Sequence, residues 1–130
     1  MRRKLLIYLL AISGLFVFLT ACNQKNFTGI RVANPDSYSL DIEQMNGTDT
    51  HTLNLSEGDV LTIRFEAENG KLHMEIKAPD GTLIYTGNGE EATDFTVNIS
   101  ESGEYSVFVE AHKARGKIYI QRIAVQEEKK

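Results

Sequence analysis

The feature that most constrains the fold is a strict alternation of apolar and polar residues that begins at Tyr38. Leu40 and Ile42 continue the apolar positions, while Ser39 and Asp41 occupy the polar ones between them. The same period of two recurs in the runs 51–55, 61–67, 72–78, 95–99, 105–111 and 118–125. Such a period is typical of strands that bury one face. No window of a dozen residues shows helical periodicity.

Turn-forming residues separate these runs. Ser56–Asp59, Pro79–Gly81 and Gly87–Gly89 combine Gly, Pro, Asn, Asp and Ser, which favour chain reversals. The segments "FTGIRV" and "TLIYTG" add two candidate strands. Short, one-sided strands at regular spacing predict an all-β fold, a single antiparallel β-sandwich of the jelly-roll kind with about eight strands.

The apolar parity changes near the C-terminus. A hairpin at "KARG" would pair Ala111 with Ile118, both facing inward. Continuing that register would place Arg122 opposite Val107, which is a charge in the core. We therefore predict a β-bulge near Gln121–Arg122, which restores an apolar pairing.

The N-terminal segment has the layout of a secretory signal. Arg2, Arg3 and Lys4 precede an uncharged apolar run over residues 5–19, which is shorter than the roughly 20 residues of a comfortable membrane span. An uncleaved signal anchor is the alternative. Small residues and Cys22, the only cysteine, follow the run directly, which favours cleavage.

Leu19-Thr20-Ala21-Cys22 resembles the lipobox of bacterial lipoproteins. The resemblance implies that the Cys22 thiol carries a diacylglyceryl group and that the signal is cleaved before it. It implies an extracytoplasmic protein anchored to the bacterial cell membrane, and Asn23 would permit outer-membrane sorting where a cell has two membranes. Two or more buried acyl chains anchor a protein stably, whereas one does not.

These boundaries predict a signal peptide at 1–21, a lipidated tether and candidate first strand at 22–37, a domain at 38–126 and a charged tail at 127–130. Removing residues 1–21 loses three basic and no acidic residues, so the formal charge falls from −4 to −7. An acidic domain repels phosphate backbones, which argues against a nucleic-acid partner. With one cysteine, no disulfide can form within the chain.

The segments "KAPDGTLIYTG" and "ISESGEYSVFVEA" are similar to bacterial pre-peptidase C-terminal domains and related jelly-roll modules. This resemblance spans roughly residues 53–125 and implies a non-catalytic module. Some members of that group bind calcium or sugar.

The residues themselves offer little for catalysis. His51, His73 and His112 belong to no metal-binding or nucleophile motif, and no cofactor is predicted. We expect His73 on a solvated face and His51 to pack at a strand end. The acidic stretches 43–49 and 56–59 could offer oxygen ligands to calcium, or could be solvated loop charge.

Phe108 and Tyr119 fall on the outward parity, and the predicted hairpin makes them diagonal neighbours beside Glu110. They form either a small recognition patch or a surface covered by the N-terminal segment. Loops at 46–51, 68–71 and 87–92 are further candidate recognition surfaces. The sequence thus predicts a lipid-anchored binding domain without catalytic activity, whose partner is an envelope protein or a glycan. The alternative is a carbohydrate- or calcium-binding jelly-roll module.

Overall fold

A computed structural model describes residues 26–91 and 93–124, apart from the side chain of Thr93. The predicted signal peptide, Cys22 and the charged tail lie outside these residues. The fold is all-β and antiparallel, as the sequence predicts. The described residues form six strands: β1 Asn26–Asn34, β2 Ser37–Leu55, β3 Val60–Lys77, β4 Leu83–Gly87, β5 Thr93–Asn98 and β6 Gly103–Ile123. None of the described residues belongs to a helix that could cross a membrane.

Three long strands, β2, β3 and β6, form the centre of the sheet, whose order is β1-β2-β6-β3-β4 with β5 also paired to β3. Each long strand bends near its middle, so the sheet folds into two layers. The first layer contains β1, β5, the first halves of β2 and β3, and the second half of β6. The second layer contains β4 and the remaining halves.

The predicted count of about eight strands is wrong: the nine candidate segments of the sequence form six strands in the described residues, because three predicted chain breaks are bends inside continuous strands. The register shifts at Ile42–Gly47 of β2 and at Ala67–Lys71 of β3. Both shifts lie beside residues 111–116 of β6, so the three strands bend together. Strands commonly pass from one packed sheet to the other through bulges of this kind.

At each bend, the residues that face the core also change from even-numbered to odd-numbered, or the reverse. In β6 the buried apolar residues are odd-numbered up to Ala111 and even-numbered from Ala114 onward. Lys113, between them, has a positive φ of 45°. The predicted hairpin at 113–116 is therefore wrong, and so is the bulge at Gln121–Arg122, because the pairing of β6 with β3 is regular there. The switch of inward parity in β6 lies at the bend, whereas Ile123, which the predicted bulge would have turned inward, is 50% exposed.

Two glycines let the bending strands approach one another closely. Gly70 of β3 has a φ of +70°, and a Cβ there would lie 2.1 Å from the Lys113 carbonyl oxygen. A Cβ on Gly116 would lie 2.3 Å from the Glu66 carbonyl oxygen. Any side chain at either position would push the backbones of β3 and β6 apart.

The core lies between the two layers and draws on both halves of every long strand. Its largest fully buried side chains are Tyr38, Tyr105, Phe65, Leu40, Ile42, Leu53, Leu61, Met74, Ile76, Ile118, Ile120 and Val107. The alternation read from the sequence places these side chains inward, and that prediction is confirmed. The outward side chains of each layer are left to meet solvent or a ligand.

Candidate binding groove

The outer face of the first layer carries a row of side chains that spans five strands. In register across β1, β2, β6, β3 and β5, the row reads Val32, Ser39, Tyr119, Arg64 and Asp94. Because directly opposed residues of antiparallel strands share a face, these five side chains project the same way. Tyr119 stands at the centre, with a small hydroxyl residue on one side and a cation on the other.

The neighbouring row is polar and uncharged. It reads Asn34, Ser37, Gln121, Thr62 and Thr96 across the same five strands. Asn34 Nδ2 donates to Ser37 Oγ at 3.0 Å, and Thr62 Oγ1 donates to the Gln121 carbonyl oxygen at 3.3 Å. Each of these hydroxyl and amide groups can make more than one hydrogen bond, so each retains an unused donor or acceptor.

A groove of about 530 Å³ runs over these two rows. We call it the tyrosine groove; its lining residues are Val32, Ser37, Tyr38, Ser39, Thr62, Ile63, Arg64, Asp94, Phe95, Thr96, Tyr119, Ile120 and Gln121. The volume falls within the range of about 300–1,000 Å³ that is usual for small-molecule sites. Tyr119 remains 39% exposed in it. The groove therefore offers one accessible aromatic ring surrounded by hydroxyl, amide and charged groups.

An ion pair closes the row at its β3–β5 end. Arg64 Nε lies 3.2 Å from Asp94 Oδ1, and both side chains are mostly exposed. An exposed pair of this kind contributes little to stability, typically about 0–1 kcal/mol. Its remaining guanidinium donors and carboxylate lone pairs are available to a ligand.

The structure does not bring the three predicted site residues together. Phe108 lies on the outer face of the second layer, opposite Thr50 and Glu75. Tyr119 lies eleven residues further along β6, which at ~3.3 Å per residue is roughly 36 Å of strand, beyond the bend. The predicted diagonal contact is wrong because it depended on a hairpin that does not form. The outward orientation of Tyr119 is confirmed.

Glu110 shares the second outer face with Phe108. It lies opposite His73, and its Oε1 is 3.5 Å from His112 Nε2. A groove of about 350 Å³ beside Phe108 is lined by Thr50, His51, Thr52, Glu75, Lys77, Ser106, Val107 and Phe108. Strand β1, which carries Phe27 and Ile30, does not cover Phe108, because it pairs with residues 37–46 in the first layer.

The predicted recognition loops fall mainly inside strands. Residues 46–51 belong to β2 and residues 68–71 belong to β3. Asn and Gly in these segments produce bends rather than loops. Of the third predicted loop, Asn88–Glu91 does connect β4 to β5, beside the stacked rings of Tyr85 and Phe95.

The acidic stretches 43–49 and 56–59, proposed as calcium ligands, contain carboxylates that bond to other groups of the protein. Asp59 is buried; its Oδ2 accepts from the Ser56 N–H at 2.8 Å and lies 2.9 Å from Arg122 Nε. Asp49 Oδ2 lies 2.8 Å from Arg31 Nε and also accepts from the Tyr38 hydroxyl. Among the described residues, no three His, Cys, Asp or Glu side chains are grouped to hold a metal ion.

Sequence reasoning missed a polar cluster around Tyr38. The His51 ring stacks on the Tyr38 ring with centroids 5.1 Å apart, and His51 Nε2 lies 2.6 Å from the Asn34 carbonyl oxygen. Because a carbonyl oxygen only accepts, that nitrogen carries the hydrogen and donates it. Burial, together with the bond to Asp49, raises the pKa of Tyr38 far above its ordinary value. The hydrogen bond to Asp49 likewise raises the pKa of Arg31.

His73 lies half-exposed on the outer face of the second layer, as predicted, with Nε2 3.2 Å from Glu75 Oε1. His51 packs as predicted, although within β2 rather than at a strand end. His112 lies at the bend of β6, next to the segment 113–116 where the sequence predicts a hairpin.

Comparisons with known proteins identify no family. No protein-family model matches the chain, and no curated protein matches it. Solved structures that are similar to this chain include the following two. One is a carbohydrate-binding module of Cellvibrio mixtus lichenase 5A in complex with cellotriose, at 13% identity and a TM-score of 0.41, covering 80% of this chain and 92% of the module. The other is BtGH115A, a 4-O-methyl-α-glucuronidase, at 10% identity and a TM-score of 0.37, covering 76% of this chain and 16% of the enzyme.

Proposed function

We propose that this protein is a lipid-anchored, non-catalytic glycan-binding module whose ligand lies in the tyrosine groove. One observation carries the proposal: the exposed Tyr119 ring stands at the centre of a groove in which seven of the other twelve lining residues are Ser, Thr, Gln, Arg or Asp. The fold class alone would not support it, since sandwiches serve many functions.

The chemistry of the groove matches that of a saccharide. A sugar ring has an apolar C–H face and a rim of hydroxyl groups. The C–H face packs on an aromatic ring, and the rim exchanges hydrogen bonds with polar side chains. Ser39 is small enough to leave space beside Tyr119, and Arg64 and Asp94 offer charge-assisted hydrogen bonds on the other side.

The groove lacks the arrangement that glycoside hydrolysis requires. Most glycosidases place two carboxyl groups about 5–9.5 Å apart across the scissile bond. Among the described residues that line the groove, Asp94 is the single carboxylate, and it is paired with Arg64. The groove therefore suits binding without cleavage.

The anchoring part of the proposal rests on the lipobox at Cys22. A tethered module would hold a glycan, or the structure that carries it, close to the cell membrane. Replacing Cys22 with Ala should release the protein from the membrane fraction, and continued retention would overturn the anchor.

A glycan array followed by calorimetry tests the ligand. We expect the chain to bind at least one oligosaccharide, and Tyr119→Ala to weaken that binding about tenfold or more, equivalent to about 1.4 kcal/mol. Phe108→Ala is the matched control, because it removes an outward aromatic ring from the opposite face. Equal losses in both variants, or a loss confined to Phe108→Ala, would contradict the assignment to the tyrosine groove.

A further inference from the structure

Strand β1 exposes an unusual share of the apolar surface. All nine of its residues, Asn26–Asn34, are exposed. Of the six large hydrophobic side chains exposed in the described part of the chain, three lie on this strand: Phe27 at 38%, Ile30 at 64% and Val32 at 44%. Contiguous exposed apolar side chains commonly mark an interaction surface.

The three side chains lie on both faces of the strand. Ile30 and Val32 lie opposite Asp41 and Ser39, on the outer face of the first layer. Phe27 lies opposite the buried Met45, beyond the register shift between Thr28 and Gly29. Since β1 is also the last strand on its side of the sheet, its partner would approach the edge rather than one face.

The charge of β1 distinguishes it from the rest of the chain. Asn26–Asn34 contains one arginine and no acidic residue, in a chain with 18 Asp and Glu. Arg31 is paired with Asp49, so the strand is close to neutral. It is therefore a part of an acidic domain that can approach an anionic surface with little repulsion.

The sequence places this strand beside the predicted anchor. Only residues 23–25 separate Cys22 from Asn26. Four residue steps span at most roughly 14 Å when fully extended. The headgroup region of one leaflet is itself about 5–8 Å thick, from the difference between total and hydrocarbon thickness. A lipid on Cys22 would thus hold the start of β1 within a short distance of the headgroups.

We propose that β1 docks edge-on against the lipid bilayer, with Phe27 and Ile30 inserted among the headgroups. The inference rests on the lipid anchor of the proposed function, because the tether supplies the high local concentration that so small an apolar surface needs. Amphipathic helices bind the membrane interface by burying Phe and aliphatic side chains at the headgroup boundary, and the exposed Phe27 and Ile30 offer the same kind of side chain from a strand. The row of the tyrosine groove begins at Val32 and ends at Asp94, so its far end points away from β1.

A site-specific probe tests the docking in the full chain. The protein is produced with its signal segment, purified in detergent and reconstituted into phosphatidylethanolamine–phosphatidylglycerol vesicles. An Ile30→Cys variant is labelled with an environment-sensitive fluorophore; the lipidated Cys22 thiol does not react. Asn98→Cys on β5 is the matched control, exposed at the opposite edge of the same layer.

We expect bromine-labelled lipids to quench the probe at position 30 several-fold more than the probe at position 98. Flotation with the vesicles, together with equal quenching at both positions, would overturn the docking and leave the anchor intact. Failure to float would overturn the anchor, and the docking with it. The emission of the probe at position 30 could instead shift to the blue in detergent, by an amount that grows with protein concentration. That result would indicate pairing with a second copy, which also contradicts the proposal.

Discussion

The Tyr38 hydroxyl donates a hydrogen bond to Asp49 Oδ2, which joins two points of β2 on opposite sides of its bend. The same carboxylate oxygen lies 2.8 Å from Arg31 Nε of β1. Asp49 therefore ties the edge strand and both halves of β2 together. Its hydrogen bond and ion pair add polar contacts to the apolar packing between the layers.

Removing this carboxylate should destabilise the fold. Asp49→Ala leaves the buried Tyr38 hydroxyl without its acceptor, and we expect a loss of about 1.5–3 kcal/mol in the free energy of unfolding. Asp94→Ala is the control, because it breaks an exposed ion pair that contributes about 0–1 kcal/mol. Urea denaturation of both variants measures the difference. Similar losses in the two variants would contradict the structural role of Asp49.

Alkaline pH should weaken the fold through Tyr38. The folded pKa of Tyr38 is raised above its ordinary value of about 10, mainly by burial. The unfolded chain therefore loses this proton at a lower pH than the folded chain. Stability should be fully present below pH ~10 and should fall as the pH rises above it.

Tyr38→Phe removes the titrating hydroxyl and should flatten this decline. Denaturation midpoints measured from pH 7 to pH 11 provide the check, with the pH 7 value as the baseline for each variant. An alkaline decline equally steep in the wild type and in Tyr38→Phe would show that another group is responsible.

The close approach of β3 and β6 at the bend should not tolerate a side chain. Gly116→Ala places a Cβ 2.3 Å from the Glu66 carbonyl oxygen, and we expect a loss of more than about 2 kcal/mol. Gly81→Ala is the control: its added Cβ meets nothing within 4 Å, so only its positive φ costs energy, about 1–2 kcal/mol. Thermal unfolding of the two variants should separate them. A Gly116→Ala variant more stable than Gly81→Ala would contradict the bend geometry.

The alternation of residues predicts the buried faces well but not the chain path. Leu40, Ile63 and Val107 are buried as the period of two requires. Asn-Gly at 46–47 and 69–70, and Gly116 at the end of 113–116, predict turns or loops from sequence alone, because these residues favour reversals and bulges alike. Which of the two forms depends on how three strands bend together, and no local segment carries that information.

The candidate site, too, is predicted only in part by the sequence. The outward orientation of Tyr119 follows from parity alone, and that prediction is confirmed. Its neighbours Ser39, Arg64 and Asp94 come from three other strands. They can be identified as neighbours only once the register of the strands is known. The contact between Tyr38 and Asp49 also depends on the bend, so the sequence gives no signal for it.

Filling the tyrosine groove should weaken binding without removing an aromatic ring. Ser39 lies directly between Val32 and Tyr119, so Ser39→Trp would occupy the space beside the ring. We expect a loss of glycan binding of tenfold or more, with little change in stability. Ser106→Trp is the matched control on the outer face of the second layer, and calorimetry with the array-selected oligosaccharide measures both. Unchanged binding in Ser39→Trp would exclude this part of the groove.

Nuclear magnetic resonance can map directly whether a glycan binds in the tyrosine groove. The isotope-labelled chain is titrated in detergent with the oligosaccharide that binds most tightly on the array. We expect the largest amide shifts at Ser39, Arg64 and Tyr119, whereas Phe108 on the opposite face should be unaffected. Shifts centred on Phe108, or spread evenly over both faces, would contradict binding in this groove.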